Sequence, residues 1–207
     1  MRFAIFIYDG VEPIDLATFG VLSMARRVAP EIEVFTVARA AGPVALANGL
    51  VVSAHFGIED CPPADVIIVT GGPGWQDEAR SAPTLAFLER YCAGRIAASV
   101  CTGAMILAAA GVLDGHRATT KREVVGAEVP PVDVLRERYP RVSVEEALLV
   151  DDGTVVTGGG VALCIDTTLH LLERTLGKRV AAETARILEY GTARAANAAR
   201  TFGVAAE

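Results

Sequence analysis

The chain has 207 residues and a formal net charge of −6, with 52% hydrophobic and 21% charged residues. This composition is typical of a well-packed globular domain and excludes an intrinsically disordered chain. The acidic balance, without a basic stripe, argues against binding to nucleic acid or to a membrane surface. No run is long and apolar enough to span a bilayer. The sequence therefore predicts a single domain over residues 1–207.

Short apolar runs typical of buried strands alternate with segments of helical periodicity. The predicted strands are Phe3–Tyr8, Glu31–Ala38, Val66–Thr70, Ile96–Val100, Val142–Glu145, Ala147–Val150 and Thr154–Thr157. The predicted helices are Pro13–Val28, Pro83–Cys92, Ala104–Ala110, Val132–Tyr139, a stretch that Gly158–Gly160 opens and that runs to Leu176, and Arg179–Glu189. A hairpin is predicted over Val44–Ser53 around Asn48-Gly49. The alternation predicts an α/β fold with a mainly parallel sheet and helices on both faces, and Ala193–Glu207 as a peripheral C-terminal segment.

The start of the chain and its cysteines indicate the cellular compartment. The segment MRFAIFIYDG reads as a strand and not as a signal peptide, because its apolar run is short and ends at Asp9. Cysteines occur at four positions without metal-binding or redox spacing: Cys61, Cys92, Cys101 and Cys164. We therefore expect a protein of the reducing cytoplasm, without disulfides and without a metal site.

The strand Ile96–Val100 runs directly into Cys101, and a helix of small residues follows. This is the layout of a nucleophile elbow, a sharp strand-to-helix turn, with cysteine in place of the commoner serine. Ser99 and Gly103 supply the small neighbours that the turn requires. The positive end of the helix dipole favours a thiolate, which predicts a Cys101 pKa below the value of about 8.5 for a free thiol. A buried, inert cysteine is the alternative.

Ligands of parallel α/β sheets bind outside the carboxyl ends of the strands. The segments that follow predicted strands, and that we expect to share one rim, are Asp9-Gly10, Gly71–Gly74, Cys101 and Gly158–Gly160. Gly71–Gly74 does not match a phosphate-binding loop, so we interpret it as a turn that offers backbone N–H groups to an anion formed in a reaction. Gly72 and Thr102 are the expected donor pair. For Gly158–Gly160, close strand–helix packing is favoured.

Asp15 is the candidate acid, at the start of the first predicted helix between apolar residues. If its carboxyl faces the rim, burial and a nearby thiolate raise its pKa, and the protonated form donates to sulfur as a general acid. Helix capping is the alternative role, for which Glu12 before Pro13 competes. The sequence contains three histidines: His55, His116 and His170. None of them follows Cys101 directly, so the sequence does not indicate a Cys-His-acid triad.

Taken together, these segments resemble the ThiJ/PfpI superfamily, which is related to class I glutamine amidotransferases. The resemblance covers nearly the whole chain and rests on the first strand with Asp15-Leu16, V-T-G-G-P-G, A-S-V-C-T-G, L-D-G-H-R-A-T-T and V-T-G-G-G-V-A-L-C-I-D. Within the superfamily, S-V-C-T-G with an aspartate in the first helix looks like the isocyanide (isonitrile) hydratase branch. It also looks like the ligand-binding domain of AraC-type regulators.

The resemblance implies a flavodoxin-like three-layer sandwich, a homodimer and chemistry without a cofactor. It places the nucleophile at Cys101, the acid at Asp15 and the backbone anion site at Gly72 and Thr102, beside Gly71. The further candidate pocket residues are Lys121, Thr120, Gly159 and Asp166. The implied reaction is the hydration of a small isocyanide, R–NC, to an N-substituted formamide through a thioimidate on Cys101. The predicted partners are a small-molecule substrate and a second copy of the chain, through a face with Ile14, Phe19 and Val21.

Two alternative functions stay open. A glyoxalase or deglycase would act on α-oxoaldehydes, although those branches often carry histidine after the cysteine or glutamate as the acid, where this chain has Thr102 and Asp15. A thiol sensor or small-ligand binding module would need no turnover. The chain also departs from the hydratase branch at Lys121 and Arg122, where that branch usually has histidine and an aromatic residue. The charged neighbours Arg122 and Glu123 favour a surface position for Lys121 over a place in the cleft.

Overall fold

The computed structural model describes residues 1–198 and 203–204. The strands are β1 (Arg2–Phe6), β2 (Glu33–Ala38), β3 (Gly42–Ala45), β4 (Val51–Ala54), β5 (Phe56–Gly57), β6 (Val66–Val69), β7 (Ile96–Ser99), β8 (Arg117–Ala118), β9 (Ser143–Val144), β10 (Leu149–Asp152), β11 (Val155–Gly158) and β12 (Gly203–Val204). Eight of them form the central sheet in the order β12-β10-β11-β7-β6-β1-β2-β5. Its pairs are parallel except β10 with β11. The predicted mainly parallel sheet is therefore confirmed.

Helices cover both faces of this sheet. They are α1 (Ala17–Ala25), α2 (Trp75–Glu78), α3 (Ala82–Cys92), α4 (Gly103–Ala109), α5 (Pro131–Arg138), α6 (Cys164–Leu176), α7 (Lys178–Ile187) and α8 (Gly191–Ala198). One layer joins α1, α6 and α7, and the other joins α4 with α2, α3 and α5. The result is the expected three-layer sandwich, with the strand-to-helix turn at Cys101 between β7 and α4.

The core lies between these layers because the central strands are apolar throughout. Residues Phe3–Phe6 of β1 and Val66–Val69 of β6 are buried on both faces, and they pair in register from Phe3 with Val66 onward. Such continuous apolar runs are characteristic of strands covered on both sides, where burial of each large side chain contributes about 1.5–3 kcal/mol. This rigid centre fixes the rim at which β1, β6 and β7 end.

Most predicted segments differ from the observed ones only in their end residues, and three differ in type, pairing or starting point. The first helix begins as a 3-10 turn over Pro13–Leu16. The predicted strand Val142–Glu145 shrinks to Ser143–Val144 and pairs with β8 outside the central sheet. The helix predicted from Gly158 begins only at Cys164, because Gly158 is the last residue of β11. A side chain at Gly158 would lie 3.1 Å from Thr167 Cβ, which agrees with close strand–helix packing there.

The predicted peripheral segment, residues 193–207, is described in part. Helix α8 contains no buried residue, and β12 pairs in parallel with β10 at the edge of the sheet. Residues 199–202 and 205–207 lie outside the described residues. Within the described ranges, no helix combines the length and the apolar character needed to cross a bilayer.

The face predicted for dimer formation is only partly accessible. Ile14 is 45% exposed, and Phe19 is half-buried and stacks on the ring of His55. Val21 is buried in the core at 3% exposure, so its place in that face is wrong. The error has a simple cause, because the broad apolar periodicity of α1 does not separate its core side from its outer side.

Candidate active site

Cys101 occupies a strained turn at the carboxyl end of β7. Its φ of 53° lies in the left-handed region that non-glycine residues rarely adopt, as is characteristic of a nucleophile elbow. The Thr120 hydroxyl donates a hydrogen bond of 2.8 Å to the Cys101 carbonyl and holds this conformation. Gly103 begins α4 so close to β6 that a side chain there would lie 2.9 Å from the Thr70 carbonyl oxygen. The turn thus depends on a glycine at this point of the sequence.

The Gly71-Gly72 segment packs directly against the elbow. A Cβ atom at Gly71 would lie 2.6 Å from Thr102 Oγ1 and 2.9 Å from Cys101 Cβ. The Gly72 N–H donates to Thr102 Oγ1 at 2.9 Å, and the Gly71 N–H donates to Asp15 Oδ2 at 2.6 Å. The prediction that the Gly72 and Thr102 amides are open donors for an anion therefore needs correction. Both glycine amides already have partners, and Gly71 supports Asp15, whereas the Thr102 amide is directed at the Cys101 sulfur and lowers its pKa.

Asp15 faces inward because the 3-10 turn is tied to its surroundings. The Glu12 N–H donates to the Gly71 carbonyl at 2.9 Å, and the Cys164 thiol donates to the Ile14 carbonyl at 3.5 Å. Asp15 is 0% exposed, and among the described residues its Oδ1 has no hydrogen-bond partner. It is not the residue at the helix N-cap, a position that Glu12 holds without a side-chain bond.

Burial raises the pKa of the Asp15 carboxyl to about 8. The Gly71 N–H bond partly opposes this shift, and the charge of Glu12 adds to it. A carboxyl with this pKa is largely protonated at neutral pH and can act as an acid, as the sequence predicted. Its expected direct contact with sulfur is wrong: no hydrogen bond joins Asp15 to Cys101, and Gly71 lies beside both.

The pKa of the Cys101 thiol is raised to about 12 by burial, and the nearby Asp15 adds to the rise. Thr102 and Lys121 lower it by smaller amounts. The predicted thiolate-favouring shift is therefore wrong in direction. The thiol is 2% exposed, and the cost of placing a charge there exceeds the stabilisation that the start of α4 provides.

This shift predicts an unusual pH dependence of thiol reactivity. We expect the rate at which iodoacetamide alkylates Cys101 to keep rising through about pH 9 and pH 10, because the reactive thiolate is still a minor species there. The cysteine thiol of an unstructured, end-capped peptide levels off once the pH passes its pKa of about 8.5. Quantifying the Cys101 peptide by mass spectrometry after short pulses gives the profile. A plateau near the pH at which the free thiol levels off would contradict a raised pKa.

A cavity of about 680 Å³ opens over the elbow. Its lining residues are Glu12, Gly72, Pro73, Trp75, Gln76, Cys101, Thr102, Lys121, Val124, Glu128, Val129, Pro131, Val134, Glu137, Arg138 and Val161. Lys121 is thus a lining residue, and the expectation of a surface position is wrong. That expectation rested on the charged residues next to Lys121 in the sequence. In the structure, the segment after β8 folds back over Cys101 and does not point into solvent.

The other candidate pocket residues do not line this cavity. The Thr120 hydroxyl donates its hydrogen bond to the Cys101 carbonyl. Gly159 is buried, and its N–H donates to the Leu148 carbonyl at 2.9 Å. Asp166 Oδ2 accepts hydrogen bonds from Tyr190 at 2.7 Å and from Asn197 at 3.0 Å, so it links α6 to the C-terminal helices. Asp166 and Gly159 therefore hold neighbouring segments together and do not contact the cavity.

The histidines are engaged elsewhere and are absent from the described lining of the cavity. His55 lies 2.7 Å from Thr36 Oγ1, His116 lies 2.9 Å from Asp152, and His170 lies 2.7 Å from Asp151. Within residues 1–198 and 203–204, no group of three His, Cys, Asp or Glu side chains could hold a metal ion. The groups nearest the elbow are the Cys101 thiol and the Lys121 ammonium group, which line the cavity, and the buried Asp15 carboxyl, which Gly71 binds.

Sequence reasoning missed most of the cavity wall. Trp75 follows the glycine-rich rim segment directly, and an aromatic residue at that place is a usable signal for a ligand contact. Val124 and Val129 belong to an irregular segment without periodicity, so nothing in the sequence indicated that they face the same space.

The profile of the DJ-1/PfpI family matches residues 1–174. The chain is 34% identical over 165 residues to isonitrile hydratase from Pseudomonas putida, which covers 79% of this chain and 68% of that protein. It is 29% identical over 143 residues to the HTH-type transcriptional regulator GbdR from Pseudomonas aeruginosa, covering 69% of this chain and 37% of the regulator. The chain thus spans little more than a third of that regulator.

Solved structures agree with the fold. A ThiJ/PfpI family protein from Pseudomonas syringae superposes with a TM-score of 0.80 at 27% identity, over 91% of this chain and 74% of that one. The match of the family profile covers the elbow and the buried acid. The chain belongs to the DJ-1/PfpI family.

Proposed function

We propose that the protein is a cysteine-dependent enzyme that hydrates a small isocyanide, R–NC, to an N-substituted formamide. The observation that carries the proposal is the placement of two groups around Gly71: the buried thiol of Cys101, which lines the cavity, and the buried and largely protonated carboxyl of Asp15, which Gly71 binds on its other side. Isocyanide hydration adds a nucleophile and a proton to the same carbon, which requires these two groups together. The similarity to isonitrile hydratase supports the same reaction.

In the first step, the protonated Asp15 carboxyl donates its proton to the isocyanide carbon as the Cys101 sulfur bonds to it. A water molecule relays the proton of the thiol to the resulting Asp15 carboxylate, since no hydrogen bond joins the two groups directly, and this regenerates the acid. The product is a thioimidate, Cys101–S–CH=N–R. This order suits a thiol with a raised pKa, because no free thiolate has to accumulate before substrate binds.

In the second step, water adds to the thioimidate carbon, and the adduct breaks its carbon–sulfur bond. The formamide HC(=O)–NH–R leaves, and the thiol of Cys101 regains a proton. Asp15 gives its proton to the imine nitrogen and takes one from the attacking water, and the proton of the new hydroxyl group then passes to sulfur, so the sum is R–NC plus one water. The Thr102 hydroxyl, at the cavity wall beside the sulfur, provides a polar contact for the new hydroxyl group.

An assay of the purified protein against cyclohexyl isocyanide and against methylglyoxal tests the proposal. We expect formamide formation with the isocyanide, and its loss in Cys101→Ser because serine is a far weaker nucleophile at this position. Cys92→Ser is the matched control, since Cys92 is also buried with a pKa raised to about 12 but lies outside the cavity. Turnover of methylglyoxal alone would instead support a glyoxalase.

A ligand-binding module without turnover is the second candidate, and the similarity to the regulator GbdR favours it. In that case, isocyanides or other small electrophiles stabilise the protein against thermal unfolding but leave the solution unchanged in composition. Parallel thermal shift and product analysis separate the two functions.

We further propose a cytoplasmic homodimer. The exposed Ile14, next to the Asp15 turn, supports an interface near the rim. Sedimentation velocity at micromolar concentration tests the assembly, and a monomer there contradicts it.

A further inference from the structure

Lys121 occupies a fixed place beside the reacting sulfur. The preceding residue, Thr120, donates its hydroxyl to the Cys101 carbonyl at 2.8 Å, and the Lys121 carbonyl accepts the Val132 N–H at 3.1 Å. The side chain before the lysine is therefore tied to the elbow, and the carbonyl of the lysine itself is tied to the start of α5. Its half-buried side chain lines the same cavity as Cys101.

The ammonium group retains hydrogen-bonding capacity toward the cavity. Lys121 Nζ donates to the Glu123 carbonyl, and an ammonium has three donors, so two are left. Among the described residues, no carboxylate lies within ion-pair distance of Lys121. Its charge also acts at the sulfur, where it lowers the Cys101 pKa. An anionic ligand would satisfy these donors next to the nucleophile.

The remaining lining residues define the rest of the ligand. The other charged members are Glu12, Glu128, Glu137 and Arg138. The last three are exposed to solvent and are screened accordingly, whereas Glu12 is half-buried and sets a limit on how far an anion extends toward Gly72. The apolar members are Val124, Val129, Pro131, Val134 and Val161. They form a wall that suits a short hydrocarbon group.

We propose that the site selects substrates that carry a carboxylate close to the reacting carbon, bound by Lys121, with an apolar remainder against the valine wall. The substrate class is therefore small isocyanide carboxylates. This part of the proposal rests on the proposed function, because it names the substrate of the same site. The anion site itself can be tested without any turnover.

Alkylation of Cys101 by iodoacetate and iodoacetamide provides this test, since the two reagents have similar size and differ in charge. Both need the thiolate, so a change in the Cys101 pKa cancels in the ratio of their rates. We expect Lys121→Met to lower the iodoacetate-to-iodoacetamide ratio roughly tenfold, the order expected for loss of a charge-assisted hydrogen bond. Lys121→Arg should keep most of the ratio. The chain's other lysine, the exposed Lys178, supplies the control Lys178→Met, with an unchanged ratio.

A ratio in Lys121→Met within about twofold of the unsubstituted protein overturns the anion site. The substrate class is tested with isocyanoacetate and its methyl ester. We expect a higher kcat/KM for the carboxylate, and a reversed preference in Lys121→Met. An ester preference in the unsubstituted protein overturns the proposed class. If neither isocyanide is hydrated but the alkylation ratio falls as expected, the hydratase function fails and the anion site stands.

Discussion

Replacement of Asp15 by asparagine is expected to slow isocyanide hydration by about 10²-fold to 10⁴-fold, the usual contribution of a general acid. The amide oxygen can still accept the Gly71 N–H, so the turn that carries the residue is retained. What the variant loses is the proton that the isocyanide carbon must receive. Single-turnover formation of the formamide measures the effect, with the circular dichroism spectrum as a check on the fold.

Asp9→Asn is the matched control for this variant. Asp9 follows the same strand at the same rim, but it is exposed, and its Oδ1 accepts the Ala45 N–H at 2.9 Å outside the cavity. We expect hydration by Asp9→Asn to stay close to that of the unsubstituted protein. Equal rates in Asp15→Asn and Asp9→Asn would remove Asp15 from the reaction.

The raised pKa of Asp15 also predicts how stability depends on pH. In the folded protein the carboxyl titrates near pH 8, whereas its ordinary value is 3.8. Between these values the folded state holds a proton that the unfolded state has lost, so the free energy of unfolding falls as the pH rises through this window. The slope contributed by this group is at most about 1.4 kcal/mol per pH unit. Above the folded pKa both states are ionised, and the contribution no longer changes.

Urea unfolding of Asp15→Asn and of the unsubstituted protein at about pH 5, pH 6.5 and pH 8 measures this dependence. The variant lacks the titrating carboxyl, so its free energy of unfolding should vary less over this range and should rise with pH relative to that of the unsubstituted protein. Parallel curves for the two proteins would show that the Asp15 pKa is not raised by folding.

Local patterns were sufficient to predict the elbow and the fold. A parallel strand buried on both faces reads as a continuous apolar run, which identified Val66–Val69 and Ile96–Ser99. The small residues around Cys101 then indicated a sharp turn. The inward position of Asp15 followed from its apolar neighbours, although a capping role read equally well from the same residues.

The electrostatics and the cavity wall could not be predicted in the same way. The shift in the Cys101 pKa is a balance between burial and the start of a helix, and burial is a property of the whole fold. Lys121 and the valines near it lie on an irregular segment, which has no period that assigns a face. Similarly, the hydrogen bond from Gly72 to Thr102 joins residues 30 positions apart and became visible only in the structure.

Gly71→Ala is expected to destabilise the fold by about 3 kcal/mol, at the upper end of the usual cost of forcing extra atoms into a packed interior. The added methyl group would lie 2.9 Å from Cys101 Cβ and closer still to the backbone nitrogen of Thr102. Neither the elbow nor the strand end can retreat, because each is held by the central sheet. Urea unfolding monitored by Trp75 fluorescence measures the loss.

Gly20→Ala supplies the comparison for this substitution. Gly20 lies within α1, and a Cβ atom there would meet nothing within 4 Å, so alanine should stabilise the protein by up to about 1 kcal/mol through its helix propensity. The two alanine variants thus shift the urea midpoint in opposite directions. A midpoint for Gly71→Ala equal to that of the unsubstituted protein would mean that the Gly71 segment does not press against the elbow. It would also remove the contact through which Asp15 is held beside Cys101.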